Sequence, residues 1–327
     1  MRTETPRPAD PGKTFDELLL AYLEEVTTTK RAPDRDKWSA KALQPHFTGR
    51  ALSDIGAAEV RRYIATRKAA GAAPGTVNKE IGLMSAALNW ARRELEWDVA
   101  NPWESRRLRE PAGRNRWLTQ EEAEGLIAAA ETKIARYPWL ADFIRLCLYS
   151  GLRPGEALAL EWSRVDLWRR RITFKEGMDQ KNGKAALIPL NRQATRALVS
   201  RARFRARYCP ESPWVFCRRN GTRIVSIKKG FAACAAGAGV SNCHPHDLRR
   251  TFGSWLVQRG VGIERVSELL RHGDVAITAK VYAHLRPTDL AAAAAVLDVT
   301  KKGAVSRSGF TFDQTDTKRK RKMTVAT

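Results

Sequence analysis

Cys243-His244-Pro245-His246-Asp247-Leu248-Arg249-Arg250-Thr251-Phe252 is the stretch from which the rest of the chain can be read. Pro245 suits the first turn of a helix, where its missing N–H and fixed φ cost nothing. Leu248, Phe252, Trp255 and Leu256 continue a helical spacing until Gly260 stops it. His246 and Arg249, three residues apart, then leave from one face of that helix. A helix start also presents free backbone N–H groups and the positive end of the macrodipole. A phosphate there would satisfy imidazole, guanidinium and backbone together. A plain helix start with solvated polar residues fits this stretch, taken alone, equally well.

The whole chain shifts that balance. Its 327 residues suffice for two domains with their own cores. Its 58 Lys and Arg against 35 Asp and Glu leave a formal net charge of +23, far more than solubility requires. Such an excess suits a polyanion, nucleic acid ahead of an acidic membrane surface. No apolar run reaches the length of a membrane span, and the first residues lack a signal-peptide core, so the expectation is a cytoplasmic protein with no membrane partner. Five cysteines without CxxC spacing argue against a disulfide framework. Cys243, His244 and His246 lack a second ligand pair at zinc spacing, so no metal and no cofactor is expected.

Residues 1–12 are rich in proline and charge and read as disordered. Residues 13–107 read as an all-helical unit. Its first helix starts at Thr14, and others are expected at 34–47, 57–70 and 74–95. Arg61, Arg62, Arg67 and Lys68 crowd the third helix, and Lys79, Arg92 and Arg93 lie on the fourth. These are either solvated faces or a phosphate-contacting surface; the net charge favours the second. Residues 108–116, with Pro111 and Gly113, form a basic linker. A second domain, 117–297, opens on Thr119 with Glu122 as a capping box. In it a helix at 140–149 ends at Gly151, and Arg153 stands at the mouth of the next helix, with Pro154 at its first position and Glu156 in its first turn. Strands are expected at 165–168, 171–174 and 185–190, with Asn182-Gly183 as a hairpin turn. Helices follow at 194–208, 225–236, from Pro245, at 263–270 with Gly273 as a left-handed cap, at 275–284 after Asp274, and at 288–297. Residues 298–327 form a basic tail ending in Lys318-Arg319-Lys320-Arg321-Lys322.

In this order Ser150-Gly151-Leu152-Arg153-Pro154-Gly155-Glu156, Lys181 before Ile188-Pro189-Leu190, His246-Asp247-Leu248-Arg249, Leu270-Arg271-His272-Gly273 and Val281-Tyr282-Ala283-His284 resemble the tyrosine recombinase (phage integrase) family. The resemblance implies a mainly α (α+β) fold: a helical core-binding domain, then a mainly α catalytic domain with a small antiparallel β-sheet. It implies that Arg153 and Arg249 clamp a scissile DNA phosphate, with Glu156 in support and His272 as a further contact. Lys181, preferred over Lys184 for its spacing to Pro189-Leu190, would be general acid for the leaving 5′-oxygen, and His246 the acid/base partner. Tyr282 would be the nucleophile forming a 3′-phosphotyrosyl bond. Partners so implied are double-stranded DNA recombination sites, a homotetramer on DNA and accessory DNA-bending proteins. Two departures stand out: Arg271 where the family usually has glycine, and one extra residue between His272 and Tyr282.

The chemistry stands without the name. Phosphodiester cleavage needs a nucleophile, a proton for the leaving oxygen and neutralisation of charge on the phosphoryl oxygens. Two guanidinium forks can supply the last bidentately. Integration or excision of a mobile element is the leading function. Type IB topoisomerase-like strand cleavage and non-catalytic DNA binding are the alternatives.

Overall fold

The computed structural model describes residues 12–111, 113–175 and 185–285 and divides the chain into two compact units, Met1–Arg114 and Asn115–Thr327. Lys181, the expected turn at 182–183, the expected helix at 288–297 and both chain ends lie outside the described residues.

The first unit holds α1 (Phe15–Glu25), α2 (Pro33–Phe47), α3 (Ala57–Ala69) and α4 (Pro74–Glu94). Thr14 caps α1 reciprocally with Glu17, so two N–H groups that the helix itself cannot satisfy are bonded. The apolar faces meet in a core where Phe47, Tyr63 and Trp103 rings lie 5.4–5.6 Å apart. One carboxylate is buried with them: half-buried Arg67 grips Glu80 through Nε at 3.0 Å and Nη2 at 2.7 Å, and the Tyr63 hydroxyl donates to the same carboxylate. Arg67 is therefore committed inward, unlike Arg61, Arg62, Lys79, Arg92 and Arg93, which are all exposed on α3 and α4. Within the expected linker, Leu108 exchanges hydrogen bonds with the Asn78 side chain and Glu110 accepts another from it, so this part of the linker is held to α4.

In the second unit, α5 (Gln120–Thr132), α6 (Leu140–Ser150) and α8 (Arg192–Tyr208) pack around a core that also takes in the sheet. The sheet has order β1-β2-β3, from Val165–Asp166, Arg171–Phe174 and Ala186–Pro189, antiparallel throughout, with Ile172 opposite both Val165 and Ile188. β1 is shorter than expected, because Trp168 turns out to solvent at 93% exposure. On α8, Arg201 is buried and donates to three backbone carbonyls, of Val215, Pro138 and Cys217.

α7 (Pro154–Leu158), α9 (Lys228–Gly237), α10 (Pro245–Gln258), α11 (Ile263–Leu270) and α12 (Val275–Tyr282) complete the described helices. α9 starts three residues later than its apolar spacing suggested, with Val225 exposed before it. α10 is locked from behind: the Thr251 hydroxyl accepts from the Leu118 N–H, and the Trp255 indole donates to the Leu118 carbonyl.

One expected cap is overturned. Gly273 does not close α11; Arg271 takes the left-handed conformation instead, at φ 55° and ψ 47°. The Arg271 and His272 N–H groups bond back to Glu268 and Ser267, and the Arg271 side chain is anchored elsewhere, which outweighs the glycine preference. α12 begins as expected, with Asp274 accepting from Ala276, and gives way after Tyr282 to a 3-10 turn, Ala283–Leu285. Among the described residues no helix is long and apolar enough to cross a membrane.

Candidate active site

Gly151 ends α6 in the left-handed region, at φ 65°, and swings the chain so that Arg153 becomes the N-cap of α7. Glu156, three residues on, accepts from the Arg153 backbone N–H at 3.0 Å and from its Nη1 at 2.6 Å. The other end of the site comes from α11, whose Arg271 donates Nη2 to Glu156 Oε2 at 2.6 Å. One buried carboxylate thus joins two guanidiniums from opposite ends of the domain sequence. Burial alone would raise the Glu156 pKa, but Arg271 and then Arg153 outweigh it and hold the carboxyl below its usual value.

α10 supplies the centre. Arg249 is 3% exposed and donates Nη1 to the Gly151 carbonyl at 2.6 Å and Nη2 to the Leu270 carbonyl. A single guanidinium therefore ties the end of α6 to the end of α11. Burial, together with the charges of Arg153 and Arg271, depresses its pKa to about 9. Three guanidiniums with one carboxylate between them form a cluster short of negative charge, which is the electrostatic signature of an anion site.

The imidazoles share this field. His246 keeps an exposed edge, yet desolvation of its ring, then Arg249 and Arg250, hold its pKa below the ordinary imidazole value. His272 falls further, to about 4, through burial and then the charges of Arg249, Arg153 and Arg271. It is hydrogen-bonded through Nδ1 to the fully buried Thr278 Oγ1 at 2.7 Å. Both rings are therefore neutral at neutral pH. The unfolded chain binds a proton at His272 that the folded one refuses, so stability falls as pH drops from about 6.5 to about 4. In His272→Gln this part of the slope is expected to vanish, which urea titrations of both proteins across that range would reveal as converging midpoints.

Tyr282 ends α12 with its ring pressed on α10. It is 3% exposed, and a Cβ placed on Gly253 would stand 2.7 Å from its Cζ and 2.9 Å from its hydroxyl oxygen. Burial raises the phenol pKa, while Arg249 and Arg250 pull it down. Gly253→Ala should displace the ring, slow any reaction of Tyr282 by about tenfold or more and cost about 1–3 kcal/mol of stability. Chemical denaturation and single-turnover assays check both effects.

Arg153, Glu156, His246, Arg249, His272 and Tyr282 are thus assembled in one place. The sequence reading missed Gly253, Thr278 and the partnership of Arg271. A glycine inside α10, four residues after Arg249, was the one local signal of a close approach. Arg61, Arg62, Lys79, Arg92 and Arg93 belong to the other unit. Among the described residues no cluster of His, Cys, Asp or Glu converges as metal ligands would.

A model of the phage integrase family matches residues 116–289. The tyrosine recombinase XerD of Caulobacter vibrioides is 33% identical, over 85% of this chain and 92% of that protein. The chain belongs to the phage integrase family. The integrase of Salmonella phage P22 is 26% identical, over 88% of this integrase and 80% of the phage protein. In fold, this integrase matches the Tn1549 transposon integrase, solved with circular intermediate DNA, at a TM-score of 0.70 and 18% identity, over 86% and 99% of the two chains. It also matches a lambda integrase tetramer solved on a Holliday junction, at 0.69 and 16%, over 88% and 84%. As a tyrosine recombinase it is an enzyme of site-specific DNA recombination.

Proposed function

We propose that this integrase cuts a DNA strand with the Tyr282 hydroxyl and reseals it to a new partner, integrating or excising a mobile element. The observation that carries the reading is the cluster of Arg153, Arg249 and Arg271 against the single Glu156 carboxylate, beside a tyrosine seated on Gly253. The phenolic oxygen attacks phosphorus, the bond to the 5′-oxygen breaks, and the strand is left joined through a 3′-phosphotyrosyl ester. Neutral His246 is suited to accept the phenol proton, and Lys181 supplies the proton to the leaving 5′-oxygen. Arg153 and Arg249 fork the non-bridging oxygens, with His272 as a further contact held by Thr278. The ester conserves the bond energy, so a 5′-hydroxyl of another strand reverses the step without ATP.

The substrate is double-stranded DNA carrying recombination sites. The exposed Arg61, Arg62, Lys79, Arg92 and Arg93 serve the first unit as phosphate contacts in a core-binding role. Four copies act together, as in the lambda integrase tetramer, with accessory DNA-bending proteins and in the cytoplasm. The test is to mix two differently labelled duplexes bearing a candidate attachment site. Exchanged products support recombination. Relaxed supercoils without exchange would support a topoisomerase, and binding without cleavage a DNA-binding protein.

A further inference from the structure

Arg271 holds a backbone conformation, φ 55° and ψ 47°, that glycine adopts far more readily than any residue with a side chain. What its side chain does there is specific. Its Nη2 takes one oxygen of Glu156 at 2.6 Å, while Arg153 Nη1 takes the other at 2.6 Å. The two guanidiniums are not equivalent: the Arg153 side chain is 21% exposed and the Arg271 side chain 7%, beside a Glu156 side chain at 5%. Arg153 is the one open to an incoming phosphate, and Arg271 backs the carboxylate from the enclosed side.

We infer that Arg271 is a positioning residue for strand cleavage: by sharing Glu156 it leaves Arg153 with the charge and orientation to hold the scissile phosphate. This rests on the reading of Arg153 as a phosphate ligand. A carboxylate that served Arg153 alone would neutralise it. Shared between two guanidiniums, it orients Arg153 and cancels only part of its charge. With Arg249 the cluster is three cations and one anion, a surplus of two positive charges. A phosphodiester brings one negative charge, and charge builds on its equatorial oxygens as the tyrosine attacks, so the second positive charge acts chiefly in the transition state. Without Arg271 the surplus falls to one, which matches the bound substrate and not the transition state.

The test is single-turnover cleavage of a nicked duplex by the full-length protein. Arg271→Gly is the informative variant, because glycine suits the left-handed backbone while the side chain that carries the guanidinium is removed. Its cleavage rate should fall about 10- to 100-fold, with DNA affinity changed less than about threefold and thermal stability kept. Arg271→Lys should recover most of the rate, since Arg271 meets Glu156 through one nitrogen and one oxygen. Adding Glu156→Gln to Arg271→Gly removes the anion with the cation, restores the surplus and should raise the rate above that of Arg271→Gly alone. An Arg271→Gly protein cleaving at the wild-type rate, or a double variant slower than either single one, overturns the inference. A wild type that cleaves no DNA overturns it together with the reading beneath it, whereas a cleaving wild type matched by Arg271→Gly overturns the inference alone.

Discussion

Tyr282→Phe binds DNA as tightly as the wild type, forms no covalent adduct and joins no strands. The substitution removes one oxygen and keeps the ring that packs on Gly253 and fills the space beneath α10. Nothing in the core has to move, so stability should change by no more than about 1 kcal/mol. Affinity is spread over many phosphate contacts and does not depend on the phenol. The rate, in contrast, should fall roughly 10⁴-fold or more, the scale at which losing a nucleophile acts in covalent catalysis. The wild-type phenol is buried, which raises its pKa against the opposing pull of Arg249 and Arg250, and in the proposed mechanism His246 takes its proton. Strand joining by Tyr282→Phe, measured with labelled duplexes, would place the nucleophile elsewhere.

The second large effect is at Arg249. On the proposal that Arg249 binds the phosphoryl oxygens, Arg249→Met should lower cleavage on the order of 10³-fold, because such a guanidinium acts where charge develops. Its effect on stability is a contest. The variant strands the Gly151 and Leu270 carbonyls, each costing about 1–3 kcal/mol if left without a donor. Against that, it removes a cation whose pKa burial and two neighbouring guanidiniums have pushed down to about 9, a penalty of a few kcal/mol. The two are of the same size, so the melting temperature should shift by only about 5 °C either way. A fall in melting temperature well beyond that, with cleavage intact, would make Arg249 a structural strut and not a catalytic residue.

Local signals were the legible ones. Thr119 and Asp274 cap helices as expected, through bonds two or three residues away, and Thr14, expected only as a helix start, also caps one with Glu17. Arg153 at the helix mouth and Glu156 in the first turn were readable for the same reason, and their pairing follows from that spacing. What escaped was long-range. Arg271 reaches Glu156 across 115 positions, Arg201 bonds Pro138 across 63, and Leu118 meets Thr251 across 133. No periodicity records such meetings. The misread cap shows the competition directly: glycine preference pointed to Gly273, but an ion pair fixed at Arg271 set where the chain turns. Gly253 is the same lesson reversed, a glycine inside a helix whose reason is a ring arriving from α12.

Tyr282 is proposed to carry the DNA strand. The most direct measurement traps the reaction on a nicked duplex in EDTA, digests the product and identifies the modified peptide by mass spectrometry. The expected product is a nucleotide 3′-phosphate esterified to Tyr282 and to no other residue. A nucleotide on a different side chain, or cleaved DNA with a free 3′-phosphate and no modified peptide, would contradict it.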